Sequence, residues 1–181
     1  MCHYITGTLS KGSDVKAIAT IFLRYGVGCE EIDNPHLRSQ LPPGTIYIST
    51  TRMHCDCGTE LGSRGEKRKH GSSSEMRDLE KLRDKGWSEA KIERWRKNKE
   101  VARSNSYAKS GAVRVSDWMQ CLRAALESGK TSRVGLLLHW YTDKLETEGM
   151  VFKTAIPTQI DQVTSDFLLT IEEDTLYTFT L

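Results

Sequence analysis

Thr45-Ile46-Tyr47-Ile48-Ser49-Thr50, running directly into Thr51-Arg52-Met53-His54-Cys55-Asp56-Cys57-Gly58, is the stretch on which the fold turns. Its first half alternates β-branched or aromatic residues at the period of a half-buried strand. Its second half ends that strand in a histidine and two cysteines. A strand of this kind, followed at once by metal-ligating residue types, places chemistry at the edge of a sheet.

Upstream, Tyr4 to Leu9 predicts a first strand. Val15, Ile18, Ala19, Phe22 and Tyr25 then recur at helical spacing, with Ser13 as the expected N-cap and Gly26 as the stop. Val27 to Ile32 predicts a second strand, and Asp33-Asn34-Pro35 and Pro42-Pro43-Gly44 bracket a loop before Thr45. Downstream, Ser116 is the expected cap of a helix carrying Trp118, Met119, Leu122, Ala125 and Leu126. Arg133 to Trp140 is a continuous apolar run, which predicts a buried strand. The order strand, helix, strand, strand, helix, strand is that of a ferredoxin-like β-α-β-β-α-β core within one α+β domain over residues 1–181. Extra C-terminal strands are expected at Val151 to Ile160, Phe167 to Ile171 and Leu176 to Phe179, the last two joined by the acidic turn Glu172-Glu173-Asp174.

Residues 59–112 differ in character and read as an insertion. Gly62 to Ser74 is polar, basic and rich in Gly and Ser. A helical hairpin follows, Glu75 to Lys85 and Ser88 to Arg103, hinged at Gly86, with a second loop at Asn105 to Gly111. From Leu61 to Ser110 the chain holds 15 Lys/Arg against 8 Asp/Glu, a net of +7 within a chain whose total is +2. The remaining body is therefore acidic, at −5.

At 181 residues the chain is long enough for a substantial core. No run of about 18 apolar residues predicts a membrane span. The opening Met-Cys-His-Tyr-Ile-Thr-Gly has no basic and apolar leader, so a cytoplasmic protein is expected. Five cysteines, an odd number, point to free thiols, metal ligands or a nucleophile rather than a disulfide framework. Cys29 and Cys121 have apolar neighbours and read as buried, inert thiols.

The ferredoxin-like arrangement sets the first strand between the third and the fourth. Cys2 and His3, which open the first strand, then lie beside His54, Cys55 and Cys57 and beside His139 near the end of the fourth. These six residues are the candidate metal ligands. Thiolate and imidazole suit zinc, as a closed structural site with four protein ligands or a hydrolytic one with water in the fourth position. Successive strand side chains face opposite ways, so only one of Cys2 and His3 can face the site. Gly58 would allow the tight turn that a Cys-x-Cys chelate needs.

Other chemistries share these residues. Loss of Met1 would give Cys2 a free α-amine, the arrangement of an N-terminal nucleophile. The Met-Cys opening that runs into a strand resembles class II glutamine amidotransferases over those few residues, which implies a cysteine-dependent hydrolase. Cys55 or Cys57 paired with His54, His3 or His139 is a further nucleophile arrangement. His3-Tyr4-Ile5-Thr6 and His139-Trp140-Tyr141-Thr142 resemble the paired His-x-Thr/Ser motifs of 2H phosphoesterases, with a spacing one residue longer. In the insertion, Arg64, Lys67, Arg68, Lys69, Lys91, Arg94 and Lys97 are interleaved with Trp87 and Trp95. A basic stripe with aromatics suits phosphate backbones, and the hinge before Trp87-Ser88 resembles a helix-turn-helix. Residues 64–103 are thus a candidate surface for nucleic acid or an acidic protein. Glu89, Glu93 and Glu100 are spaced as in the i,i+4 pairs of a solvated helix, which is the plainer expectation there.

Overall fold

The computed structural model describes residues 2–52, 54–62, 77–110 and 112–181. Strand β1 (Cys2–Leu9) leads through helix α1 (Val15–Arg24) to the two-residue β2 (Glu30–Glu31). A single helical turn, α2 (Pro35–Arg38), precedes β3 (Ile46–Ser49). Residues 77–84 are helical, as is α3 (Glu89–Ser110). Helix α4 (Val115–Glu127) and strand β4 (Val134–Tyr141) follow. Strand β5 (Thr154–Gln159), a 3-10 turn (Ile160–Gln162), helix α5 (Ser165–Thr170) and strand β6 (Thr175–Thr180) complete the chain.

The protein is of the mixed α+β class, and its described residues form a 6-stranded sheet in the order β2-β3-β1-β4-β6-β5. β1 lies antiparallel to β3, from Thr6 opposite Ser49 to Leu9 opposite Ile46. On its other side it pairs antiparallel with β4 over its whole length, from Cys2 opposite Tyr141 to Leu9 opposite Val134. The sheet does not stop at β4, as a four-stranded core would. β6 pairs antiparallel with β4, and β5 adds in parallel to β6. The reason is in β4 itself: five successive residues, Val134 to Leu138, are buried. Such a strand is apolar on both faces and does not serve as a sheet edge. The edge falls instead to β5, which is exposed along most of its length and carries Pro157, a residue confined to edges.

Alternation along the strands makes two cores. One face carries Ile5, Leu9, Ile48, Leu136, Leu138 and Phe179 against Phe22 of α1, Trp118 and Leu122 of α4 and Leu168 of α5. The other carries Tyr47, Leu137, Tyr141 and Leu176, covered by Leu37 and Met150.

Phe167 to Ile171 is not a strand: Thr164 caps α5 by accepting the Phe167 amide N–H at 3.1 Å, and Leu168 is fully buried. A short apolar run has no period to separate strand from buried helix, and the cap decides. The second strand shrinks to two residues. Residues 105–110, expected in a loop, continue α3. Asp14, not Ser13, caps α1, because the Ser13 hydroxyl donates to the Ser10 carbonyl at 2.7 Å. Arg114, not Ser116, stands at the N-cap of α4, with the Asp117 carboxylate accepting its N–H and its guanidinium.

Candidate metal centre

β3 ends at Ser49, yet the chain keeps following β1 toward its start. Thr50 donates its amide to the Ile5 carbonyl at 3.4 Å and its hydroxyl to the same oxygen at 2.5 Å. The Asp56 amide donates to the His3 carbonyl at 2.9 Å. Between these, the Ile5 N–H has no backbone acceptor and donates to the Asp56 carboxylate at 2.8 Å, which also accepts the Thr51 hydroxyl. Asp56 is 6% exposed. Burial raises its carboxyl above the ordinary range, against the two hydrogen bonds, which lower it. A buried, doubly bonded side chain thus substitutes for strand backbone and holds the loop in place.

This pinning carries Cys55 and Cys57 to the start of β1. The sulfurs of Cys2, Cys55 and Cys57 all lie within 4.8 Å of one another, and all three residues are half-buried. The His3 amide N–H donates to Cys57 Sγ at 3.2 Å. Burial pushes the Cys57 thiol up to about 12, outweighing that bond, and the neighbouring Cys55 and Cys2 act in the same direction. Tyr4 stands beside the cluster with its hydroxyl donating to the His54 carbonyl at 2.7 Å. Its phenol is raised by burial first, then by Cys2, Cys55, Asp56 and Cys57. Gly62, not Gly58, is the glycine the loop needs. A Cβ at position 62 would meet the Asp56 carbonyl oxygen at 2.0 Å, whereas one at 58 would meet nothing within 4 Å.

No family model, curated protein or solved structure matches this chain.

The structure brings three of the six candidate ligands together. Of Cys2 and His3, it is Cys2 that faces the cluster. His3 is fully buried, in edge contact with Trp140, and its Nε2 is 2.7 Å from Glu173. His139 lies opposite Tyr4 on β4, its Nδ1 2.5 Å from Asp174. By strand alternation the two imidazoles fall on opposite faces of the sheet, so the paired-histidine resemblance finds no common cleft between them. The turn Glu172-Glu173-Asp174 holds both: adjacent carboxylates take one histidine each, and Asp174 bends the chain with φ 59°, its N–H donating to the Leu138 carbonyl at 2.9 Å. His54 is exposed. Among the described residues no imidazole nitrogen is hydrogen-bonded to a cysteine sulfur. Met1, on which the N-terminal nucleophile depends, lies outside the described residues. Cys29, raised to about 11 by burial, and the fully buried Cys121 stand apart from the cluster.

Arg64, Lys67, Arg68 and Lys69 lie outside the described residues. Lys91, Arg94 and Lys97 are exposed on α3. Lys91 sits over the Trp87 ring at 4.0 Å, and Lys99 over Trp95 at 4.5 Å. No described helix is long and apolar enough to cross a membrane.

The sequence signal for the cluster was the Cys-x-Cys spacing combined with strand order. The site roles of Asp56, Glu173, Asp174 and Gly62 carry no such signal. Their roles depend on register and side-chain reach, which spacing does not encode.

Proposed function

We propose that this chain is a metal-binding protein whose ion is held by the thiolates of Cys2, Cys55 and Cys57. The observation that carries this reading is the approach of three sulfurs within 4.8 Å from two segments more than fifty residues apart. A metal–sulfur bond of about 2.3 Å sets ligand sulfurs about 4 Å apart, a spacing that falls within that 4.8 Å bound. The His3 N–H donated to Cys57 is the outer-shell contact that orients a thiolate ligand. The zinc expected from the residue types would receive three of its four ligands here, with His54 or water in the fourth position; water there would make the centre hydrolytic. The antiparallel placing of β1 between β3 and β4 supports a ferredoxin-like core extended by β6 and β5.

Metal content of untagged protein, measured by plasma mass spectrometry, tests the reading. About one ion per chain is expected, lost in Cys2→Ser, Cys55→Ser and Cys57→Ser and kept in Cys29→Ser. A folded, reduced protein that takes up no metal would sink it.

A second reading rests on a separate surface. Exposed Lys91, Arg94 and Lys97 on α3, within a segment of net charge +7, support nucleic acid or an acidic protein as a partner through residues 64–103. Retention on an anionic resin that weakens steeply with salt is the expected behaviour.

A further inference from the structure

We infer that the Cys2–Cys55–Cys57 centre is a three-coordinate site that prefers a soft monovalent ion of the cuprous class over zinc. The inference rests on the metal-binding reading above and concerns which ion the centre takes. Three observations converge on it.

The donor set is sulfur only. Among the described residues the cluster has three members, and no histidine or carboxylate joins them. Thiolates select soft ions, cuprous copper foremost, whereas imidazole and carboxylate broaden a site toward zinc and harder ions.

The side chains that would complete a tetrahedron stand outside the sulfur cluster: exposed His54 does not join it, and His3 and His139 each lie against a carboxylate. His3 is fully buried, with Nε2 on Glu173 at 2.7 Å. His139 is held to Asp174 at 2.5 Å. Asp56, between the two cysteines of the loop, spends its carboxylate on the Ile5 N–H and the Thr51 hydroxyl. Recruiting Asp56 would leave the buried Ile5 N–H without its acceptor.

The framework also holds the three sulfurs in place. The loop is anchored at Asp56 and closed by Gly62 against the Asp56 carbonyl. Glu60 just beyond the cysteines accepts the Val115 N–H at 2.9 Å, tying the same loop to α4. A triangle of sulfurs on a fixed loop and a strand end suits a trigonal ion, while zinc's tetrahedron must be finished from outside the cluster. Each thiol that ligates releases its proton to solvent.

The test titrates the reduced full-length protein with cuprous ion buffered by bathocuproine disulfonate, and with zinc against a chromogenic chelator. X-ray absorption at the copper edge then counts the ligands. One copper per chain in a shell of three sulfurs, undisplaced by excess zinc, is expected. Cys2→Ser, Cys55→Ser and Cys57→Ser should each lose one sulfur from the shell, and Cys29→Ser none. The wild-type spectrum decides the coordination number even where a variant folds poorly. A zinc complex that outcompetes copper and shows a nitrogen or oxygen ligand beside the sulfurs overturns the inference and leaves the metal-binding reading standing. A folded protein that binds neither ion overturns both.

Discussion

The carboxylate of Asp56 does for β1 what another pair of strand residues would do in a longer β3, since it takes the Ile5 N–H that no backbone carbonyl reaches. Removing it leaves that buried donor without a partner. Asp56→Ala should therefore lower stability by about 1–3 kcal/mol in urea denaturation. As a contact that positions ligands without touching the ion, its loss should weaken metal binding roughly 10- to 100-fold. Asp56→Asn keeps a carbonyl oxygen for Ile5 and should fall between the two. Equal metal affinity in all three proteins would remove Asp56 from the site. The glycines nearby separate cleanly. Gly62→Ala forces a methyl into the Asp56 carbonyl, 2.0 Å from its ideal position, and should cost about 1–3 kcal/mol. Gly58→Ala meets nothing within 4 Å and should stay within about 0.5 kcal/mol of wild type. Thermal melts of the two variants side by side give the comparison.

Among the elements, α4 carries the clearest start signal once its true cap is known. The Arg114 guanidinium, by hydrogen bond and then by charge, holds the Asp117 carboxyl below its usual range, against partial burial and with help from the Arg114 N–H. A carboxyl depressed by folding stabilises the native state above its unfolded value, near 3.9, and loses that contribution as pH falls through the folded value. Asp117→Ala should thus cost about 1 kcal/mol at neutral pH, with the gap to wild type closing below about pH 4. A gap unchanged at acid pH would mean that the side chain acts by packing and not by charge. Strand β3 and helices α1 and α4 are legible because each repeats apolar residues at its own period, β1 because of its Ile and Thr residues, and β4 because it is one continuous apolar run. Phe167-Leu168-Leu169 has no period, so only the Thr164 cap and the burial of Leu168 against α4 make it helical. Cys2, Cys55 and Cys57 were legible as neighbours because strand order alone sets the start of β1 beside the end of β3. The same strand order sets His3 and His139 near them. Their diversion to Glu173 and Asp174 was hidden, because it depends on where the turn before β6 lands.

At the scale of the whole molecule, charge is divided as sharply as structure. Residues 61–110 hold a net of +7 and the rest of the chain −5, so the basic segment is not neutralised by its own neighbours in sequence. Helix α3 is exposed on most sides: along its described length Ile92 is buried at 3% exposure, while Lys91, Arg94 and Lys97 face solvent. A helix polar on nearly all sides gains little from packing, and here lysines lie over both tryptophans. Those lysines occupy ring faces that a nucleobase would need for stacking, so any nucleic-acid contact here should run through phosphates and be indifferent to sequence. Replacing Lys91, Arg94 and Lys97 together by Glu changes the charge of this face by six. The triple variant should elute from heparin at much lower salt and lose its affinity for single- and double-stranded oligonucleotides alike, with metal content unchanged. Affinity that survives the charge reversal would move the contact elsewhere. Affinity for one oligonucleotide sequence over others would mean that bases, and not phosphates, are read. If metal content falls together with polyanion binding, the arm and the cysteine centre act as one unit, and the two readings of this protein merge.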